Sequence, residues 1–313
     1  MSTSPYAISI VDPVTITDAM LISTNVPEND YAAWVGGGPA TTYALGDRVI
    51  LTSTHKIYES LRNSNTNHDP ATETDWWIEV SPTNRWKAFD LSNQSQTVYS
   101  GTSPPNVTYT IEPGQVVGVI GILNLTGASI VTVTVDDPIY GIVYDEEFDI
   151  SQVPLQSTWW HWFFGTRNAA SNQVIIQNIP AYPNAEITIS ITGNTSLAVG
   201  VIVLGQANQF SLGMKYGARL GIQDYSRKEA NDFGDTVFVV RAFAKRATYE
   251  IFLDNDEVDQ LQSYLSSIRA KPVLWIGSTQ YESTTVFGFY KNFDILLSYT
   301  DHAECSLEIE GLT

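Results

Sequence analysis

Between residues 86 and 210 apolar and polar positions alternate in short runs rich in β-branched residues. Runs at 107–111, 116–125, 130–135, 139–144, 174–179, 187–191 and 197–204 each have the length and patterning of a strand. Turn signals separate them, among them Pro113-Gly114, Asp136-Asp137-Pro138, Pro180, Pro183 and Gly193-Asn194. No helical period intervenes, so the pattern predicts an antiparallel β-sandwich of jelly-roll type over 86–210. Residues 1–30, with Ile8, Ile10, Val11, Val14, Ile16 and Leu21, predict one or two short strands that pair with another domain or another chain.

After residue 210 the pattern changes. Strands are expected at 236–244 and 248–253, split by Lys245-Arg246, then at 273–276, 286–290, 293–299 and 305–309. A helix is expected over 257–270, because Val258, Leu261, Leu265 and Ile268 fall on one face. Asp254 with Glu257 three residues on can cap it, Arg269 and Lys271 suit its carboxyl end, and Pro272 stops it. Residues 211–313 therefore read as an α+β domain with one helix on an antiparallel sheet. Residues 31–85 differ again, with Trp34, Tyr43, Tyr58, Trp76 and Trp77 in a stretch poor in aliphatic residues. That stretch predicts a small module with an aromatic core, and the whole chain reads as mainly β.

The chain has 313 residues, enough for two or three domains, and only 16% are charged. Its formal net charge of −18 disfavours nucleic-acid binding, which needs Lys and Arg to neutralise phosphates. Ten of the sixteen basic residues follow residue 210, which fits either a solvated surface or a last third that faces an acidic neighbour. The single cysteine, Cys305, lies in an alternating strand and reads as a buried thiol; one cysteine allows neither an intrachain disulfide nor a cysteine-based zinc site. The start of the chain lacks the pattern of a secretory signal, and no apolar run is long enough to span a membrane as a helix.

Candidate chemistry is sparse. Asp145, Glu147 and Asp149 can share one side of a strand, and paired carboxylates are what glycoside hydrolysis requires, but a solvated turn before a strand also accounts for them. The run Asp254-Asn255-Asp256-Glu257-Val258-Asp259 begins like a calcium loop and then lacks its glycine and distal Glu. His55, His68, His161 and His302 have no ligand spacing, so neither metal nor cofactor is expected. No nucleophile elbow or phosphate-binding glycine loop is present, and the residues predict no enzyme. The run Trp159-Trp160-His161-Trp162-Phe163-Phe164 sets Trp159, His161 and Phe163 against Trp160, Trp162 and Phe164 across a strand. One set can fill the sandwich core; Trp160, Trp162 and Phe164 are then candidates for an interface or a stacking platform.

The order Trp34, Tyr43-Ala44-Leu45-Gly46-Asp47-Arg48-Val49, Tyr58, Pro70, Trp76 and Val80 resembles the small chitin-binding type of carbohydrate-binding module carried by bacterial chitinases and cellulases. The resemblance covers about fifty residues. It implies a Gly-Asp turn into a strand, a Tyr on the next strand and a late Trp closing the core. Such modules usually place an exposed Trp just before the late Pro, whereas here that loop reads Asn67-His68-Asp69-Pro70. With Tyr43, Tyr58 and Trp76 assigned to the core, Trp34, His68 and Trp77 are the residues left to meet a sugar.

The continuation Trp76-Trp77-Ile78-Glu79-Val80, then Pro82-Thr83-Asn84-Arg85-Trp86-Lys87-Ala88-Phe89-Asp90, resembles a segment of tailed-bacteriophage virion proteins in which a small module runs into a β-sandwich. The ending Ser306-Leu307-Glu308-Ile309-Glu310-Gly311-Leu312 is similar to the last strand of phage tail-tip and baseplate components, and residues 214–226 share the likeness loosely. This resemblance implies a structural tail or baseplate protein that assembles in the host cytoplasm, resides in the virion as a homo-oligomer beside other tail proteins, and touches host surface polysaccharide. The alternatives are a carbohydrate-binding protein of host adsorption and an envelope polysaccharide depolymerase.

Overall fold

The computed structural model describes residues 7–37, 41–101, 104–151, 171–210, 213–215, 217–230, 236–278, 281–297 and 299–312. In chain order the first strands are β1 (Ile8–Val11), β2 (Leu21–Thr24), β3 (Thr42–Tyr43), β4 (Arg48–Leu51), β5 (Lys56–Ser60), β6 (Asn65–Thr66), β7 (Trp77–Pro82) and β8 (Thr97–Val98). Next come β9 (Asn106–Ile111), β10 (Val119–Asp137), β11 (Gly141–Asp149), β12 (Val174–Gln177), β13 (Glu186–Gly205) and β14 (Ala207–Phe210). The last part holds β15 (Gly213–Met214), β16 (Arg219–Asp224), β17 (Arg227–Ala230), β18 (Thr236–Val239), β19 (Phe243–Asp254), α1 (Val258–Ser267), β20 (Val273–Ile276), β21 (Thr285–Leu296) and β22 (His302–Gly311). Among the described residues the fold is mainly β, with several antiparallel sheets, one α-helix near the end of the chain and a small aromatic cluster.

The sandwich is one sheet curled on itself, in the order β11-β10-β13-β9-β2, with β12 added to β10 and β8 to β13. The runs at 116–125 and 130–135, expected as two strands, belong to the single strand β10. Those at 187–191 and 197–204 likewise belong to β13. Each strand bends where the ladder between them slips, around Thr126 and Ala128. Glycine makes the bend: Gly127 has φ +65°, and a Cβ on Gly193 would fall 2.2 Å from the Gly127 carbonyl oxygen. Bulged strands keep most of their ladder, so a turn signal such as Gly193-Asn194 marks a corner inside one strand.

The bend also changes burial along each strand. Beyond it, Val131, Val133 and Val135 alternate with partly exposed threonines and face one core, shared with Tyr109, Ile189 and Ile191. Before it, β10 is buried on both faces, as is β13 from Leu197 to Gly205. The second face is covered by the C-terminal sheet, where Val119, Leu123, Val201 and Val203 meet Val11, Leu274 and Ile276.

That C-terminal sheet runs β14-β1-β20-β21-β22-β19-β15, with β16 also pairing β19. The N-terminal segment therefore pairs inside its own chain, β1 in this sheet and β2 in the curled one. Lys245-Arg246 does not divide two strands but lies inside β19, and the expected runs at 286–290 and 293–299 join as β21 through a slip between Tyr290 and Asn292. The helix buries Leu261, Leu265 and Ile268 against Tyr249, Ile251 and Trp275. Its start is a short 3₁₀ turn, Asn255–Glu257, capped by Asp254, whose carboxylate accepts from the Asp256 N–H. It ends at Ser267, earlier than expected, because Ala270 takes φ +60° and turns the chain back before Pro272.

Candidate functional site

The aromatic module has two small sheets, β4-β5-β7 and β3-β6. Gly46, at φ +87°, makes the expected turn, and the Asp47 carboxylate closes it by accepting from the Ala44 N–H at 2.7 Å. Val49 then lies opposite Tyr58 across the β4–β5 hairpin. Tyr43, Val49, Tyr58 and Trp77 form the core, with Trp34, Leu51 and Trp76 partly buried around it. Tyr43 meets Trp77 edge to face, with ring centroids 5.2 Å apart.

The two neighbouring tryptophans exchange the roles expected of them. Trp77, expected at the surface, is 2% exposed, and its Nε1–H donates to the His68 carbonyl at 2.9 Å. Trp76, expected in the core, is partly exposed and carries the His68 ring stacked on it, at 3.8 Å between centroids and 11° between planes. The Arg62 guanidinium lies 5.1 Å from the centroid of the same indole. His68 Nδ1 donates to Glu73, and this hydrogen bond holds the Glu73 carboxyl below its ordinary range. Glu73 also accepts from the Asp69 N–H, so the loop that carries His68 is tied at two points.

Trp34 is half-buried, and its Nε1 is buried without a hydrogen-bond partner. Gly36 lies so close to its six-membered ring that a Cβ there would fall 2.1 Å from Cη2. Trp34 and His68 thus remain at the module's surface, whereas Trp77 is a core residue. Trp160, Trp162 and Phe164, the expected interface set, lie outside the described residues.

A second cluster joins the module to the sandwich. His55, at φ +57°, stacks on Trp86 with centroids 4.5 Å apart and donates through Nδ1 to Glu28 at 3.0 Å. Glu28, one-tenth exposed, also accepts from Thr83 Oγ1 at 2.9 Å and lies 3.6 Å from Arg85. A cleft of about 300 Å³ opens beside them, lined by Asp18, His55, Lys56, Trp86, Phe89 and Asp90 among others. Burial pushes the Asp90 carboxyl above its ordinary value, against hydrogen bonds from Ser95 and Ser92 that favour the ionised form. Sequence reasoning missed this joint, because its partners Glu28, His55 and Thr83 share no motif and meet only through the fold.

Asp145, Glu147 and Asp149 lie on β11 as exposed residues, with Asp145 accepting from Thr134 Oγ1 at 2.9 Å. Cys305 is 1% exposed, and burial next to Asp294 pushes its thiol up to about 12. No helix among the described residues is long and apolar enough to cross a membrane. The chain matches no protein-family model and no curated protein in sequence.

Proposed function

We propose that this chain is a structural component of a tailed-phage virion, at the tail tip, baseplate or fibre attachment, that docks neighbouring virion proteins. The observation that carries the reading is unfinished surface. Around well-filled cores, Ile139, Tyr140, Ile142, Ile222, Phe238 and Val240 are each more than half exposed. They cluster on edge strands and a projecting hairpin, the places where another chain adds most readily. The resemblance of residues 76–90 and 306–312 to phage tail proteins supports the same reading. Particles made without this chain are expected to fail in assembly or infection; particles that assemble and infect normally without it would overturn the proposal.

The second reading is glycan contact in host adsorption, and the stack of His68 and Arg62 on Trp76 supports it. The outer face of His68, 28% exposed, is the platform such a contact would use, and many copies in one particle would make weak contacts count. On a glycan array, His68→Ala and Trp76→Ala are expected to lose binding that the unaltered chain shows; absence of binding by the unaltered chain contradicts this reading.

A further inference from the structure

Two surfaces leave apolar side chains in water, and they carry opposite charge. The first is a ribbon. β16 pairs with the first half of β19, Asp224 opposite Phe243, and β17 with β18 continues the hairpin, Arg227 opposite Val239. All six residues of β16 are exposed, although Ala244 and Ala247 opposite them on β19 are buried. Leu220 (44%), Ile222 (64%), Phe238 (62%), Val240 (85%) and Phe243 (54%) are exposed along it. Scattered apolar residues on a surface are ordinary, but a contiguous run on one ribbon marks a contact. Residues 219–246 hold six Lys and Arg against four Asp and Glu, in a chain whose net charge is −18, with Arg227 paired to Glu229 and Arg246 to Glu308. Arg219 and Arg241 are exposed and enter no ion pair among the described residues.

The second surface is the edge of the curled sheet. Among the described residues β11 pairs only with β10, leaving one row of its backbone groups without a strand partner. Asp145, Glu146, Glu147 and Asp149 are all exposed on it and, among the described residues, enter no ion pair. At its tip Asp137 accepts from the N–H groups of Ile139 and Tyr140 and fixes a turn that puts both side chains in solvent, 81% and 71% exposed. Ile142 beside them is 64% exposed.

We propose that the ribbon of one copy seats on the β11 edge of a second copy of this chain. The choice of a second copy as occupant rests on the assembly role proposed above; the choice of surfaces rests on charge. Ribbon against ribbon would oppose basic side chains, and edge against edge would oppose carboxylates, so a two-fold pair through either surface is disfavoured. Ribbon against edge matches both charge and apolar content. Such a contact joins different surfaces of the two copies, so it closes into a ring or runs on as a filament.

The test is the mass in solution of the full chain, measured by light scattering over a range of concentrations at low and high ionic strength. Assembly that weakens with added salt is expected. Arg219→Glu with Arg241→Glu, and separately Asp145→Lys with Glu147→Lys, should each weaken association by about tenfold or more. An equimolar mixture of the two variants should assemble again, because each then offers the surface the other lacks, and misfolded variants would not do so. A chain that stays monomeric at every concentration, variants that assemble like the unaltered chain, or a mixture that fails to recover would each overturn the inference. A chain monomeric in solution yet present in purified particles would overturn this contact and leave the assembly role standing. Self-assembly of a chain absent from particles would do the reverse.

Discussion

Trp76 and Trp77 are adjacent and chemically identical, yet one is buried and the other supports a surface stack. Trp77 opens β7, where its pairing with Ser60 on β5 turns it inward, whereas Trp76 ends the preceding turn, its N–H bonded to the Glu73 carbonyl. Trp77→Ala would empty the centre of the module and strand the His68 carbonyl, so a loss of about 3–5 kcal/mol is expected in urea unfolding followed by tryptophan fluorescence. Trp76→Ala removes the surface stack and a partly buried contact at the core's rim, with a smaller expected cost of about 1–2 kcal/mol in the same measurement. A larger loss at Trp76 than at Trp77 would mean that Trp76, and not Trp77, fills the core. Cys305 gives a second residue-level expectation. Its thiol is raised from 9.0 to about 12, so folding disfavours the thiolate, and stability present below pH 9 should fall as the pH rises toward 12. At pH 8 the folded chain should resist alkylation at Cys305 and react on denaturation; rapid modification of the folded chain contradicts the burial.

Among the elements, strands whose two faces meet different surroundings are legible in the sequence, and bends are not. β9 and β22 alternate between buried and more exposed positions; β9 is close to its expected extent, whereas β22 runs from His302 to Gly311, beyond the expected 305–309 at both ends. The continuous apolar run at 197–204 signals burial on both faces, but nothing local says that Leu274 and Ile276 cover the second one. β10, β13 and β21 continue through residues that read as breaks because bulges and corner glycines keep the ladder together, and β19 runs through Lys245-Arg246 in unbroken register with β16 and β22. The helix face was legible and its end was not, since the left-handed turn falls at Ala270 instead of a glycine. In the candidate site the Gly46-Asp47 turn and the Val49–Tyr58 pair were legible, whereas the His68–Trp76 stack and the His55–Glu28 joint depend on loop paths. Gly193→Ala tests the corner: its Cβ would meet backbone at 2.2 Å, so a loss of about 3 kcal/mol or more is expected in thermal or urea unfolding. Unchanged stability would mean that the two long strands do not approach each other there.

At the scale of the whole molecule, the described residues of this acidic chain include an exposed apolar ribbon edge that carries Arg219 and Arg241, and an acidic sheet edge without a strand partner among them. A protein that acts alone has little use for either surface, whereas one built into an ordered particle uses both. The most direct test of that account is quantitative mass spectrometry of purified particles released on lysis of the host that carries this gene. The account predicts this chain in a fixed ratio, several copies per particle, to the other tail proteins. Its absence from infectious particles would contradict the account.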